Sequence, residues 1–378
     1  MRLLKQLLAV AAIAVSMSAS AEPGVTDNKI TLGMSGPFSG PNGAYGIDMR
    51  TVIQAYFEQV NKGGGVNGRK IELVALDDGY ETERTVANTK TLINDKNVFA
   101  LLSFYGSSPT TEAMNKVFGP AKVPLVGTIS GAGTLREPLS QNPNGRYMFN
   151  VRASYADETE AIVNQLVSLG LKNIAVFYQN DGFGKSGLDG VTAALKKHNL
   201  APTAVGTVER NSIDVDAAVQ AIAKGKPQAV VMVTLYKPTA AFVKAMKKAG
   251  QNPMFMTLSP VGTEQLVAEL GPDARGIGIS QVMPYPWNDI VPMVRDYQKL
   301  VGKGGFSYYG IEGFVMARVV VDALRRAGKD LTREKMVSTL EGTSLDLGGF
   351  RVSYSPNSRL GSRYVELTVV GPGGKILK

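Results

Sequence analysis

The stretch VFALLSFYGSSPTTE, residues 98–112, contains both elements from which the fold is built. It begins with a largely apolar run, residues 98–104, which has the length of a buried strand. Pro109 fits the first helical position and Ser108 fits the N-cap, so a helix is expected to follow. The stretch therefore predicts a strand that leads directly into a helix, which is the repeating unit of an α/β sheet.

The same alternation of strand-like runs and helical spacing extends in both directions, as is typical of parallel sheets. In the first half, the strand-like runs are residues 30–34, 71–76, 98–104 and 123–126, followed by a short run at 147–151. In the second half they are residues 174–178, 204–208, 229–235, 254–258 and 276–282. The pattern predicts the α/β class, with two doubly wound parallel-sheet lobes.

The last hundred residues predict how the two lobes are connected. Helical stretches at 289–301, 309–327 and 332–341 precede strand-like segments at 350–354 and 364–370. No linker rich in Gly, Ser or Pro is long enough for independent domains, so we expect a three-crossover hinge near Arg152, Met283 and Leu345. This assigns residues 22–152 and 283–345 to lobe 1, and residues 153–282 and 346–378 to lobe 2. The lobes would enclose an open cleft and close over a ligand.

The N-terminus has the features of an export signal. Arg2 and Lys5 precede an apolar run, residues 7–17, and Ala19-Ser20-Ala21 forms a cleavage site of small residues. The run is about half as long as the roughly 20 apolar residues of a membrane-spanning helix, which argues against a membrane anchor. We expect residues 1–21 to be a signal peptide and the mature protein to reside in the periplasm.

Composition limits the possible functions. The 378 residues include no cysteine, so stability must come from burial and thiol chemistry is excluded. The net charge of +9 is spread along the chain and does not form a basic patch, which argues against nucleic-acid binding.

Candidate catalytic motifs have simpler interpretations. The glycine-rich stretch 63–68 precedes a strand, and Phe183 in the stretch 182–187 would obstruct a pyrophosphate, so nucleotide binding is disfavoured. His198, the sole histidine, ends a Lys-rich helix and offers neither a triad nor a zinc site. The adjacent Asp77 and Asp78 indicate a turn more strongly than a metal site. We expect no catalytic residue, no metal and no cofactor, and therefore a protein that is not an enzyme.

Two loops indicate a binding site beyond the carboxyl ends of neighbouring strands, where open α/β sheets bind ligands. Ser107 lies at a predicted helix start, and Ser130 and Gly131 lie in the next loop. Capping alone explains Ser108 and Pro109, but two adjacent loops of the same chemistry suggest one receptor for an anion or carboxylate. Aromatic residues near other strand ends or helix starts would form apolar walls, although each could equally belong to the core.

Several motifs carry a family resemblance. They are Met34-Ser35-Gly36-Pro37, Tyr45-Gly46, residues 61–68, Asp77-Asp78, Asp181-Gly182-Phe183-Gly184 and Phe255-Met256. In this order they resemble the type I periplasmic binding proteins of the leucine/isoleucine/valine-binding family, the substrate-binding components of ABC importers. The resemblance extends over essentially the whole mature chain.

The resemblance implies that lobe 1 holds a ligand carboxylate through Ser107 and the loop around Ser130 and Gly131. In amino-acid-binding relatives an acid of lobe 2 pairs with the ligand ammonium, but the matching positions here are Ser259 and Tyr155. Because a buried ammonium without a carboxylate is costly, either Glu312 or Asp157 replaces that acid or the ligand lacks the ammonium. The implied ligand-binding residues are Ser107, Ser130, Gly131, Tyr45, Tyr105, Tyr155, Phe183, Tyr236, Ser259, Tyr309 and Glu312.

The resemblance also implies the partners. They are a small-molecule ligand, which would be a branched-chain or other amino acid or a related organic acid, and an ABC permease in the cytoplasmic membrane. The protein would act as a monomer. A periplasmic sensor that signals to a membrane receptor is the alternative.

Overall fold

The first sheet organises the N-terminal part of the computed structural model, which describes residues 22–378. The expected signal peptide, residues 1–21, lies outside the described residues. The strands of this sheet are β1 (Lys29–Gly36), β2 (Lys70–Asp77), β3 (Ala100–Tyr105), β4 (Leu125–Ile129) and β5 (Met148–Phe149). All pair in parallel, in the order β2-β1-β3-β4-β5. Every residue of β3 and β4 is buried, as expected for central strands that are covered on both faces.

Three helices accompany this sheet: α1 (Gly43–Lys62), α2 (Thr82–Asn94) and α3 (Ser107–Ala113), the last continuing into a π-helical turn, Met114–Phe118. The predicted N-cap at Ser108 is wrong, because Gly106 occupies that position with a φ of 91°. A side chain there would lie 2.4 Å from the ring of Tyr80. The glycine thus allows the chain to turn from β3 into the helix with a single intervening residue.

The remaining chain forms a second parallel sheet and a smaller antiparallel one. The strands are β6 (Ile174–Gln179), β7 (Val205–Val208), β8 (Ala229–Val233), β9 (Met254–Thr257), β10 (Gly278–Gln281), β11 (Ser344–Asp346), β12 (Arg351–Ser355), β13 (Ser358–Gly361), β14 (Glu366–Val370) and β15 (Ile376–Leu377). The second sheet has the order β15-β14-β10-β9-β8-β6-β7, in which β14 and β15 are antiparallel additions at one edge. The strands β11, β12 and β13 form the small sheet.

The helices of this part are α4 (Tyr155–Ser168), α5 (Gly182–Lys196), α6 (Asp216–Lys224), α7 (Tyr236–Lys248), α8 (Thr263–Leu270), α9 (Pro292–Val301), α10 (Tyr308–Ala327) and α11 (Arg333–Glu341). The first five accompany the second sheet. In contrast, α9 and α10 pack against α1, and α10 also contacts β3 and β4. The chain therefore returns to the first sheet after completing most of the second.

Three segments, residues 150–154, 282–291 and 362–365, connect the elements of the two sheets. The first two contain Arg152 and Met283, where crossovers are expected. The third lies later than the expected position at Leu345, because the small sheet hydrogen-bonds to the segment after β5: Asn150 N donates to Arg359 O at 2.9 Å. We therefore propose that residues 346–361 belong with lobe 1 and that only the strands after them complete lobe 2.

The two lobes are in contact across the cleft, although the sequence analysis expects an open one. The hydrogen bonds between them include Tyr236 Oη to Pro41 O (2.8 Å), Tyr309 Oη to Pro260 O (2.9 Å), Gly182 N to Ser108 Oγ (3.0 Å) and Tyr308 N to Glu264 Oε1 (3.1 Å). The structure thus represents a closed state. Within residues 22–378, the helices are all too short or too polar to cross a membrane.

Candidate functional site

The cleft brings together loops from the carboxyl ends of both parallel sheets. Lobe 1 contributes the ends of β3 and β4 with Tyr105, Ser107 and Ser130. Lobe 2 contributes the first residues of α4, α5 and α7, where Tyr155, Phe183 and Tyr236 lie. All of these side chains are buried in the closed state. The edge position follows from the topology, because parallel strands end on the same side of their sheet.

Three hydroxyl groups form the polar part of the cleft. The Oγ atoms of Ser107 and Ser130 lie 2.8 Å apart, and Tyr155 Oη lies 3.5 Å from Ser107 Oγ. Ser130 Oγ also accepts a hydrogen bond from Ala132 N at 3.2 Å. Tyr155, one of the two positions that match the ammonium-binding acid of the relatives, thus lies near Ser107 of lobe 1. We refer to Ser107, Ser130 and Tyr155 as the hydroxyl cluster.

Aromatic rings surround the remainder of the cleft. Tyr45 stacks on Tyr309 with ring centroids 4.6 Å apart, and on Tyr105 at 5.8 Å. Tyr236 of lobe 2 meets the edge of Tyr45 at 5.4 Å, and Phe183 contacts Tyr155 at 5.2 Å. Such offset and edge-on geometries are the favoured ones for aromatic pairs. We refer to Tyr45, Tyr105, Tyr236 and Tyr309 as the tyrosine cluster.

Two glycines make room for these rings. A Cβ on Gly131 would lie 2.5 Å from the ring of Tyr155, and one on Gly262 would lie 2.2 Å from the ring of Tyr45. Gly131 O accepts a hydrogen bond from Tyr155 N at 2.8 Å, which fixes the start of α4 against the loop after β4. Gly131 therefore allows this close approach between the loop and α4.

A buried ion cluster beside the hydroxyl cluster was not anticipated from the sequence. Arg152, 1% exposed, lies 3.5 Å from Glu158 Oε1 and 3.6 Å from Glu312 Oε1, measured from Nη2 and Nε respectively. Its Nη2 also donates to Ser259 Oγ. Glu158 Oε2 accepts from Ser259 N at 2.9 Å and from Ser280 Oγ at 2.6 Å. The sequence predicts Ser259 and Glu312 as binding residues, but it marks Arg152 only as a charged residue in the expected hinge and does not indicate Glu158.

Burial and mutual interaction set the charges of this cluster. Burial alone would lower the pKa of Arg152, but the carboxylates of Glu312 and Glu158 outweigh it and raise the pKa, so the guanidinium stays charged. Burial raises the pKa of Glu312 to about 7, against the opposing effect of Arg152. Glu312 therefore changes its charge near neutral pH in the closed state.

Other residues singled out in the sequence have structural roles. Asp157 caps α4 through Ser154 and pairs with Arg363 at 2.7 Å, so it lies away from the ion cluster. Asp77 Oδ1 accepts from Phe38 N at 2.7 Å, and Asp78 Oδ2 accepts from Ser35 Oγ at 2.7 Å. These two carboxylates hold adjacent loops together, as the turn interpretation expects.

The glycine-rich stretch 182–187 opens α5, where the Asp181 side chain accepts from Phe183 N and Gly184 N. A Cβ on Gly184 would lie 1.8 Å from Gln179 O, and one on Gly187 would lie 2.4 Å from Val233. The glycines therefore serve helix packing. His198 Nε2 hydrogen-bonds to Asn164 Oδ1 near the surface. Across residues 22–378, His, Asp and Glu side chains form no group of three or more that is suited to a metal ion.

The arrangement of two α/β lobes around a buried polar and aromatic cleft can be compared with known proteins. The model of a family described as "Periplasmic binding protein" matches residues 29–375. The chain belongs to this family of periplasmic binding proteins. The family is one of solute-binding proteins with a periplasmic location.

Individual relatives agree with this assignment. A substrate-binding periplasmic protein from Ralstonia solanacearum has 33% sequence identity and a TM-score of 0.85, covering 92% of this chain and 99% of that one. "Leu/Ile/Val-binding protein homolog 7" of Brucella abortus is 23% identical, over 93% of this chain and 89% of that protein. An "Amino acid binding protein" of Pseudomonas aeruginosa is 25% identical over 64% of this chain, and the match spans 63% of that protein. The predicted family and fold are thereby confirmed.

Proposed function

We propose that this periplasmic binding protein captures a small carboxylate-bearing ligand between its lobes and delivers it to an ABC permease in the cytoplasmic membrane. The ligand is an amino acid, branched-chain or other, or a related organic acid. The observation that carries the proposal is the hydroxyl cluster, in which Ser107 and Ser130 of lobe 1 meet Tyr155 of lobe 2. A ligand held there contacts both lobes at once and so stabilises the closed state.

The remaining features of the proposal follow from the sequence. Residues 1–21 direct export and are removed, the mature protein acts as a monomer, and it catalyses no reaction. In support of the last point, the buried hydroxyls of the cleft lie beside one another, and the sole histidine lies near the surface with Asn164. A serine nucleophile needs a neighbouring base to become reactive.

Mass spectrometry of small molecules released from the protein tests the function without any assumption about the ligand. The protein is purified without added solute and then denatured, and the released compound is returned to the refolded protein. We expect the compound to raise the melting temperature, because at one hundred times its Kd it should stabilise the folded protein by about 2.7 kcal/mol. Scattering should show compaction as the lobes close. Turnover of the compound, or binding without compaction, would contradict the proposal.

Substituting Ser107→Ala tests the assigned carboxylate contact. A hydrogen bond to a charged partner contributes about 1.5–3 kcal/mol, so affinity should fall roughly ten- to a hundredfold. Calorimetry measures the change. Ser168→Ala, at the exposed end of α4, is the matched control and should leave affinity unchanged. If the primary amide of the ligand binds wild-type protein as well as the acid does, the carboxylate assignment is wrong.

Glu312 predicts a pH dependence of ligand affinity. Its pKa of about 7 applies to the closed state, where burial raises the pKa against the opposing effects of Arg152 and Arg136. Closure therefore favours the protonated acid. This favourable contribution is present at low pH and is lost as pH rises through 7, since an exposed glutamate is already ionised there. Affinity at pH 8 should be about tenfold weaker than at pH 6, by calorimetry.

The variant Glu312→Gln removes the titrating group and should make affinity nearly independent of pH over the same range. An unchanged slope in this variant would assign the pH dependence to another group. A comparison of leucine with its deaminated 2-oxo acid completes the experiment. If only leucine binds tightly, Glu312 accepts the ligand ammonium and must be ionised, which reverses the expected slope.

A further inference from the structure

The guanidinium of Arg152 has hydrogen-bonding capacity that the protein leaves unused. Nη2 is bonded to Glu158 and Ser259, but Nε and Nη1 are buried without an acceptor anywhere in residues 22–378. Glu312 Oε1, 3.6 Å from Nε, is itself without a donor in that range. Buried polar groups in folded proteins are nearly always hydrogen-bonded, and charged groups lose the most when they are not. An acceptor from outside the chain would complete the guanidinium.

Arg152 is placed where a ligand in the cleft could supply that acceptor. It lies in the first connecting segment and contacts Glu312 of lobe 1 and Ser259 of lobe 2. The phenol of Tyr155, three residues along the chain, lies 3.5 Å from Ser107 Oγ. A guanidinium adjoining several hydroxyls provides the planar, charge-assisted hydrogen bonds that suit a carboxylate.

Glu158 does not occupy the two nitrogens of Arg152 that a ligand carboxylate would bind. Its two oxygens already accept from Arg152, Ser259 N and Ser280 Oγ, which fixes the carboxylate within lobe 2. One acid therefore balances the charge of Arg152 permanently. Nε and Nη1 of Arg152 remain without an acceptor among residues 22–378.

The walls of the cleft indicate what the rest of the ligand is. Every large uncharged side chain among the candidate binding residues is aromatic, and the tyrosine cluster places rings from both lobes face to face and edge to face. Tyr45 and Tyr309 are nearly parallel, with 19° between their planes. When the lobes open and a flat ligand ring enters the cleft, contacts between the tyrosine rings can be replaced by equivalent contacts with the ligand ring. An aliphatic chain does not reproduce the aromatic pairing.

We propose that Arg152 binds the carboxylate of the ligand and that the ligand is an aromatic acid whose ring lies against the tyrosine cluster. This inference rests on the proposed function and narrows its substrate class. It assigns to Arg152 a recognition role that the serine-containing loops do not supply.

A panel of matched compounds tests both parts. Benzoate, 3-phenylpropanoate, trans-cinnamate and 4-hydroxyphenylacetate are each compared by calorimetry with the corresponding primary amide. Cyclohexanecarboxylate and 3-cyclohexylpropanoate are the saturated-ring controls. At least one aromatic acid should bind wild-type protein, about a hundredfold more tightly than its amide and at least tenfold more tightly than its saturated counterpart.

Variants of Arg152 separate recognition from structural support. Arg152→Met should weaken binding of the acid about a hundredfold and leave the affinity for the amide unchanged. Arg152→Lys keeps the charge without the planar donors, so the affinity for the acid should fall about tenfold. This variant serves as the second test if the methionine variant does not fold. Arg363→Met, which removes the exposed arginine that pairs with Asp157 of α4, should change neither the affinity for the acid nor that for the amide.

Each outcome is decisive. If both Arg152 variants lose the same affinity for the acid as for the amide, Arg152 only stabilises the closed state and does not bind the carboxylate. If no aromatic acid binds but leucine or an aliphatic acid binds and compacts the protein, the inference fails and the proposed function stands. If the whole panel fails to bind and purified protein releases no small molecule, the proposed function fails as well.

Discussion

Replacing Glu158 with alanine is expected to lower the free energy of unfolding by about 3–5 kcal/mol, the cost of breaking a buried ion pair. Glu158 is fully buried and accepts hydrogen bonds from Arg152, Ser259 N and Ser280 Oγ. Its removal leaves a buried guanidinium facing only Glu312, and two further donors lose their acceptor. Urea titration measures the change: the variant should unfold at a lower urea concentration, with a similar dependence of the free energy of unfolding on urea.

Glu160→Ala is the matched control, since Glu160 lies on the same helix but pairs with Lys197 at the surface. Exposed pairs contribute about 0–1 kcal/mol, so this variant should unfold near the wild-type midpoint. The double variant Arg152→Met with Glu158→Leu should recover most of the lost stability, because an apolar pair can replace a buried ion pair. Equal midpoints for the two alanine variants would mean that the buried pair does not support lobe 2.

Replacing Gly262 with valine is expected to weaken ligand binding at least a hundredfold, or about 2.8 kcal/mol, by obstructing closure. Gly262 belongs to lobe 2, and a Cβ there would lie 2.2 Å from the ring of Tyr45 in lobe 1. Tyr45 Oη also donates to Val261 O, so the two lobes meet at this point in the closed state. Opening separates these groups, and the folded lobes should therefore tolerate the substitution.

Gly250→Val separates steric obstruction from backbone strain. Gly250 has a φ of 74°, close to the 79° of Gly262, but a side chain there would meet nothing within 4 Å. The two variants should lose similar stability, whereas only Gly262→Val should lose affinity and fail to become compact in scattering. Tight binding by Gly262→Val would show that the contact with Tyr45 is not part of the ligand-bound state.

Much of the fold was predictable because its central strands are buried on both faces and appear as apolar runs. The predicted run 229–235 became β8, and the run 98–104 became β3, each with boundaries shifted by a residue or two. The strands β11, β13 and β15 were not anticipated. They are short, partly exposed edge strands, in which neighbouring backbone rather than side-chain hydrophobicity determines the pairing.

The candidate site was predictable where it follows from topology and from the family resemblance. Loops after β3 and β4 had to lie side by side, so Ser107 and Ser130 could be paired from the sequence alone. The ion cluster could not, because Arg152 and Glu158 carry charges that ordinarily indicate solvent exposure. Their burial depends on the packing of two lobes whose closure no local pattern encodes. The ligand-binding roles that are assigned to these residues remain predictions.

The three connecting segments also determine the order in which the protein can be completed during synthesis. Ser307, at the start of α10, donates a hydrogen bond to Asp48, 259 residues earlier, and α10 contacts β3 and β4, so this part of the first sheet stays uncovered until α10 has been synthesised. The second sheet receives its antiparallel edge only from the final residues. A nascent chain thus exposes apolar sheet faces for most of its translation, and contacts between such distant residues form slowly. Each lobe therefore reaches its finished state only after its late elements have been synthesised.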